Sequence, residues 1–155
     1  MAAAHQDFAL YLDTSALMKL FVQEDGSAQV RSLANGRAAA AALLVSRLGY
    51  TEASVSLARM VHLGRIPAAD LPHHLGALEN YWEESIQEVD LSEDVLRDAR
   101  QLAQRFPLRT YDAIHLASAR EAKRMLSWFD GEVRFLAFDA GLVQAARALG
   151  FTIPV

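Results

Sequence analysis

Short runs with strand-forming apolar residues alternate along the chain with longer stretches in which apolar residues recur at helical spacing. Phe8 to Leu12 reads Phe-Ala-Leu-Tyr-Leu between polar neighbours. So short a run, without alternation, predicts a strand buried on both faces, as in a parallel sheet. It leads into Asp13-Thr14-Ser15, side chains able to cap a helix beginning near Ala16. Glu24-Asp25-Gly26-Ser27 marks a turn before a helix ending near Asn35-Gly36. Ala39 to Val45 predicts a second buried strand, although its alanines would also tolerate a helix. Ser46 is a candidate N-cap for a long helix to Gly64, with Leu48, Val55, Leu57, Val61 and Leu63 as apolar positions. Pro67 and Asp70 open a further helix carrying Leu71, Leu75, Leu78 and Trp82.

Ile86 to Val89 predicts a third strand. Ser92, followed by Glu93 and Asp94, starts a helix, because acids in the first turn complement the positive helix end. That helix runs to about Arg105 and is closed off by Pro107. Thr110 is expected to cap a helix reaching about Met125. After an Asp130-Gly131 turn, Val133 to Phe138 is the clearest strand, ending at Asp139. A helix with Leu142, Ala146 and Leu149 stops at Gly150, leaving Phe151 to Ile153 as a short fifth strand. This alternation predicts one three-layer α/β/α domain over residues 1–155, with a central, mainly parallel sheet.

Composition narrows the classes. The chain has 155 residues, 52% hydrophobic and 22% charged, which fits one domain with a sizeable core and argues against disorder. It has no cysteine, so a disulfide framework, a thiolate metal site and a cysteine nucleophile are excluded. That suits a reducing cytoplasm. The longest apolar run, Ala38 to Val45, is too short to span a bilayer, and Met-Ala-Ala-Ala-His-Gln-Asp lacks the pattern of a signal peptide. A cytoplasmic location away from membranes is expected. The net charge of −4 differs from that of a general nucleic-acid binder. Thirteen of the fifteen basic residues are Arg, however, whose planar fork suits phosphate.

Four acids stand apart from surface charge. Asp13 and Asp139 each follow a predicted strand, where open α/β sheets bind ligands. Glu52 and Asp112 lie near helix starts among apolar neighbours, where a bare carboxylate must reach water, a base or a cation. Each has a plainer explanation. Asp13 or Asp139 could serve only as a helix cap, Asp112 could favour the helix dipole, and Glu52 could pair with Arg47 or Arg59. If the four converge, an oxygen-only ligand set favours Mg²⁺ or Mn²⁺, and phosphodiester hydrolysis is the natural reaction class.

Leu12-Asp13-Thr14-Ser15-Ala16-Leu17, the helix start from Ser46 to Glu52, Tyr111-Asp112-Ala113-Ile114-His115-Leu116-Ala117, and Phe138-Asp139 followed by Leu142 resemble PIN-domain ribonucleases, in particular the VapC toxins of bacterial toxin–antitoxin pairs. The resemblance spans residues 8 to about 153. It implies a sheet of strand order 3-2-1-4-5 whose mouth holds Asp13, Glu52, Asp112 and Asp139 as catalytic, metal-binding acids, with Mg²⁺ or Mn²⁺ as cofactor. It implies that Thr14 and Ser15 orient the first carboxylate or a bound water. It further implies an RNA substrate, a homodimer and a small VapB-like antitoxin. Two features depart from the pattern: a longer link from Lys123 to Glu132, and Ala137-Phe138 in place of a small hydroxyl residue before Asp139.

Arg109 and Arg47 are candidate phosphate contacts, with a salt bridge to a neighbouring acid as the alternative. His115 could share a helix face with Asp112, but is read as a packed or surface residue without a chemical role. A structure-specific DNA nuclease and a non-catalytic binding module are the competing functions. The first would cut flapped DNA in preference to RNA, and the second would gain no stability from divalent ions.

Overall fold

The computed structural model describes residues 8–37 and 39–155. The N-terminal heptapeptide read above lies outside them. Strand β1 (Phe8–Leu12) is followed by helices α1 (Thr14–Met18) and α2 (Ser27–Asn35), then by β2 (Ala42–Ser46) and α3 (Arg47–His62). A 3-10 turn at Ala68–Asp70 leads into α4 (Leu71–Ser85), and β3 (Ile86–Val89), α5 (Glu93–Arg105), α6 (Thr110–Met125), β4 (Glu132–Leu136) and α7 (Ala140–Ala148) follow. The four strands are parallel in the order β3-β2-β1-β4.

The alternation of side chains along β1 sorts the helices into two layers. Ala9 and Tyr11 point into a core built with α5, α6 and α7, including Val95, Leu102, Leu116, Phe135 and Leu142. Phe8, Leu10 and Leu12 point the other way, into a core with Leu17, Val30, Leu57 and Leu78 from α1 to α4. Every residue of β1 is buried, as a central parallel strand covered on both faces must be. Among the described residues, no helix is long and apolar enough to cross a membrane.

Several element ends differ from the sequence expectation, each for a local reason. The fifth strand does not form. Gly150 has a φ of 85°, and Pro154 lacks an N–H, so only three residues could pair. Thr152 nevertheless accepts one bond from the Phe135 N–H at 3.0 Å, and Phe151 is buried against Phe135. β4 stops at Leu136 because its neighbour β1 turns into α1: the Asp13 N–H donates to the Leu136 carbonyl at 3.1 Å, and the Phe138 N–H goes to Ser15 Oγ. β2 starts later than expected because the Ala39 and Ala40 N–H groups donate back to Gly36 and Leu33 at the end of α2. At α6 the cap is Arg109, with extended backbone and no side-chain cap bond, not Thr110. The longer link before β4 is a turn with Leu126 buried and Trp128 exposed.

This topology positions the site. The chain winds from β1 to β2 to β3 in one direction, then crosses back to lay β4 on the other side of β1. The crevice at the carboxyl ends of β1 and β4 is therefore the switch point of the sheet. The β1–β4 register, from Phe8↔Glu132 to Leu12↔Leu136, ends both strands at one level. Phe135 sits at the centre of the neighbouring core, stacked on Tyr11 with ring centroids 5.5 Å apart. Phe135→Ala is expected to lower the unfolding free energy by about 3–5 kcal/mol, read from urea denaturation. A change below roughly 1 kcal/mol would show that this core does not hold the sheet as described.

Candidate active site

Asp13 is the first residue past β1. Its extended backbone makes it the N-cap of α1, and its Oδ1 accepts from the Ala16 N–H at 2.9 Å and the Ser15 hydroxyl at 2.7 Å. The capping bonds fall on one oxygen, so Oδ2 remains for another partner. Cap and candidate ligand are thus not alternatives. Asp13 is only 5% exposed. Burial raises its pKa, the nearby His115 and the bonds from Ala16 and Ser15 oppose the rise, and the charge of Asp112 adds to it. Asp139 repeats the arrangement after β4 in a more exposed setting, with Oδ1 accepting from the Leu142 N–H at 2.9 Å to cap α7.

The link just before Asp139 is held from both sides. The Phe138 N–H donates to Ser15 Oγ at 3.3 Å, so one hydroxyl joins the turn after β1 to the turn after β4. The Phe138 ring lies under Lys19 Nζ, 4.4 Å from the centroid. A Cβ on Gly26 would approach Phe138 Cε1 to 3.0 Å, and the φ of 88° there further favours glycine.

Glu52 reaches the same region from the second turn of α3, whose start is capped by Ser46 Oγ accepting from the Leu48 N–H. Its partner is neither Arg47 nor Arg59. Glu52 Oε1 accepts from Thr14 Oγ1 at 2.8 Å and lies 2.6 Å from His115 Nε2. Burial alone would raise the Glu52 pKa, but the hydrogen bond and charge of His115, with the bond from Thr14, outweigh it and hold the carboxyl below its ordinary range. Thr14 therefore orients Glu52, and Ser15 orients Asp13.

Asp112 enters from the first turn of α6, half-buried. Burial raises its pKa first, and the charge of Asp139 raises it further. Arg109 and His115 oppose this, and Glu52 adds to it. The four acids thus share one electrostatic neighbourhood: Asp112 senses Asp139 and Glu52, and Asp13 senses Asp112. Arg109, exposed at the head of α6, acts on Asp112 and stands at the mouth. Arg47 is committed elsewhere, to Glu88 at 2.7 Å and Asp90 at 3.0 Å.

Three contributors escape a reading of the sequence alone. His115 is packed, at 2% exposure, yet it is also bonded to Glu52, Thr14 and Tyr11. Its offset of three residues from Asp112 was the available signal. Tyr11 looked like an apolar strand residue, but its hydroxyl lies 2.8 Å from His115 Nδ1. Gly49 lets α3 approach closely: a Cβ there would come within 2.5 Å of Val45 Cγ1 and 3.8 Å of His115 Cε1. A glycine inside a helical pattern was the clue.

The donor chemistry fits a hard divalent cation, since the mouth offers carboxylate oxygens and burial raises the pKa of two of them. The acids line the mouth without closing into a cage. Among the described residues, no group of three or more His, Asp or Glu side chains is already spaced to hold a metal ion.

Known proteins place this arrangement. The PIN domain family model matches residues 10–148. Ribonuclease VapC45 of Mycobacterium tuberculosis is 36% identical over 110 residues, covering 71% of this chain and 74% of that protein. Ribonuclease VapC47 of the same species is 30% identical over 145 residues, covering 92% and 93%. Among solved structures, M. tuberculosis VapC20, described as a sarcin–ricin loop cleaving toxin, aligns with a TM-score of 0.66 at 16% identity, over 92% of this chain and 96% of that one. A toxin–antitoxin complex from Klebsiella pneumoniae aligns with a TM-score of 0.65 at 18% identity, over 95% and 98%. With a parallel sheet whose switch point gathers Asp13, Glu52, Asp112 and Asp139, this chain belongs to the PIN-domain family and, within it, to the VapC ribonucleases.

Proposed function

We propose that the protein is an Mg²⁺- or Mn²⁺-dependent endoribonuclease that hydrolyses RNA phosphodiester bonds. In this reading it is the toxin of a VapBC-type pair, acting in the cytoplasm as a homodimer and restrained by a small VapB-like antitoxin. The observation that carries the nuclease reading is geometric. Ser15 bonds both Asp13 and the link before Asp139. Thr14, next to Asp13, and His115, one turn from Asp112, both bond Glu52, so four acid-bearing elements are drawn together at the switch point. A surface salt-bridge network would pair each acid with a base, whereas Asp112 has other acids among its neighbours. Family membership supports the RNA substrate and the antitoxin.

A divalent cation bound there supplies Lewis acidity, polarising a phosphoryl oxygen and lowering the pKa of an attacking water. Asp13 and Asp112 are the principal candidate ligands. Asp13 keeps Oδ2 available while its Oδ1 is fixed by the α1 cap. Asp139, rigid through its own cap, and Glu52, held by Thr14 and His115, complete the acidic wall. Arg109 is placed to meet a backbone phosphate, where its fork can bond two oxygens.

Asp13→Asn and Asp112→Asn are expected to lower RNA cleavage by at least about 100-fold while leaving the circular dichroism spectrum unchanged, and excess EDTA to abolish wild-type activity. Parallel assays on RNA and flapped DNA should show cleavage of RNA alone. Undiminished activity in either variant, or in EDTA, would sink the proposal.

The metal-free protein should also be strained by its own charges. The Asp112 carboxyl has a folded-state pKa above its ordinary 3.8, so the folded state favours the protonated form. The cost is fully present above the raised pKa and disappears as pH falls below 3.8. Asp112→Asn is therefore expected to raise Tm in EDTA near neutral pH, by roughly 1–2 °C because solvent screens this half-exposed group. The difference should shrink on acidification. A lower Tm for the variant at neutral pH contradicts the assignment of repulsion.

A further inference from the structure

We propose that His115 is a positioning residue of the nuclease site: its Nε2–H, with the Thr14 hydroxyl, fixes the Glu52 carboxylate, and the Tyr11 hydroxyl holds the ring from behind. This deepens the nuclease reading above and rests on it.

The geometry is specific. His115 Nε2 is 2.6 Å from Glu52 Oε1 and 3.1 Å from Thr14 Oγ1, while Nδ1 is 2.8 Å from Tyr11 OH. Thr14 itself donates to Glu52 Oε1 at 2.8 Å. A carboxylate has only lone pairs to offer, so Nε2 must carry a proton to sit at this distance. Two donors on one oxygen remove much of the rotamer freedom of a glutamate, which is otherwise large. Both bonds fall on Oε1, which leaves Oε2 for another partner.

Packing alone does not account for this histidine. A leucine would fill a buried position on this helix without polar demands, as Leu116 does beside it. Instead both ring nitrogens are bonded within an interior that leaves the side chain 2% exposed. That burial keeps the ring from substrate, so it acts through Glu52 and does not exchange protons with RNA. Such supporting hydrogen bonds around a metal site commonly matter by about 10–100-fold.

The test compares His115→Leu, His115→Gln and Tyr11→Phe with wild type, by steady-state RNA cleavage and by calorimetric titration with Mn²⁺. His115→Leu is expected to lower kcat by about 10–100-fold and to weaken Mn²⁺ binding. His115→Gln, which can present an amide N–H to Glu52, should recover most of the loss. Tyr11→Phe, which keeps the buried ring, should give a smaller loss in the same direction. In a Glu52→Gln background, His115→Leu should cost nothing more, because its effect runs through that carboxylate. ¹⁵N NMR of the wild-type protein should show His115 protonated at Nε2.

Wild-type kcat and Mn²⁺ affinity in His115→Leu, equal loss in the Leu and Gln variants, additive losses with Glu52→Gln, or a bare Nε2 would each overturn the role. If His115→Leu does not fold, Tyr11→Phe and the NMR protonation state decide. Loss of activity in Asp13→Asn beside full activity in His115→Leu overturns the positioning role alone. Full activity in both overturns the underlying nuclease reading.

Discussion

Like charges brought close in a partly dry crevice are the constraint on which this structure depends. Four carboxylates cannot be gathered without raising the free energy of the folded chain unless each is held by something other than water. The protein uses helix N-termini and one histidine. Asp13 and Asp139 are caps, so N–H groups that α1 and α7 would otherwise leave unpaired stabilise their charge. Glu52 is stabilised by Thr14 and His115. Asp112, in the first turn of α6, is raised by burial and by its chief charged neighbour Asp139, and Asp13 by burial despite its cap.

The parallel sheet makes this solution available. Parallel strands put all their carboxyl ends on one side, and the helices that follow begin there with their positive ends facing the same crevice. Hydrogen bonds then lock the loops to one another. Ser15 bonds Asp13 and receives the Phe138 N–H, so one hydroxyl ties the turn after β1 to the turn after β4. Thr14 and His115 tie α1, α3 and α6 together through Glu52. Two adjacent hydroxyl residues thus brace different carboxylates, because consecutive residues at the start of a helix point about 100° apart.

Much of the architecture was legible because it is written in local patterns. The apolar run of β1, the Ser46 and Ser92 caps and the acidic start of α5 are set by residues within a few positions of one another. The candidate acids were legible because charge among apolar neighbours is costly and needs a reason. Element ends were less so. β4 stops where β1 bends away and the Ala39–Ala40 segment bonds to α2, neither of which a window along one strand reveals. Arg47 illustrates the same limit, since its partners Glu88 and Asp90 lie about forty positions on and become neighbours only when β2 pairs with β3.

The sequence by itself determined the class of the fold and singled out the four candidate acids, because hydrophobic period and the cost of isolated charge are properties of residues and their near neighbours. Only the tertiary structure decided what each acid touches. Tyr11 and His115 are 104 positions apart, and His115 and Glu52 are 63 apart, yet all three meet in one hydrogen-bonded chain. A histidine amid Ile114, Leu116 and Ala117 carries the same local signal whether it is inert filling or a brace for a carboxylate. The difference lies in which side chains the sheet brings to its two nitrogens, and that is a matter of packing between elements.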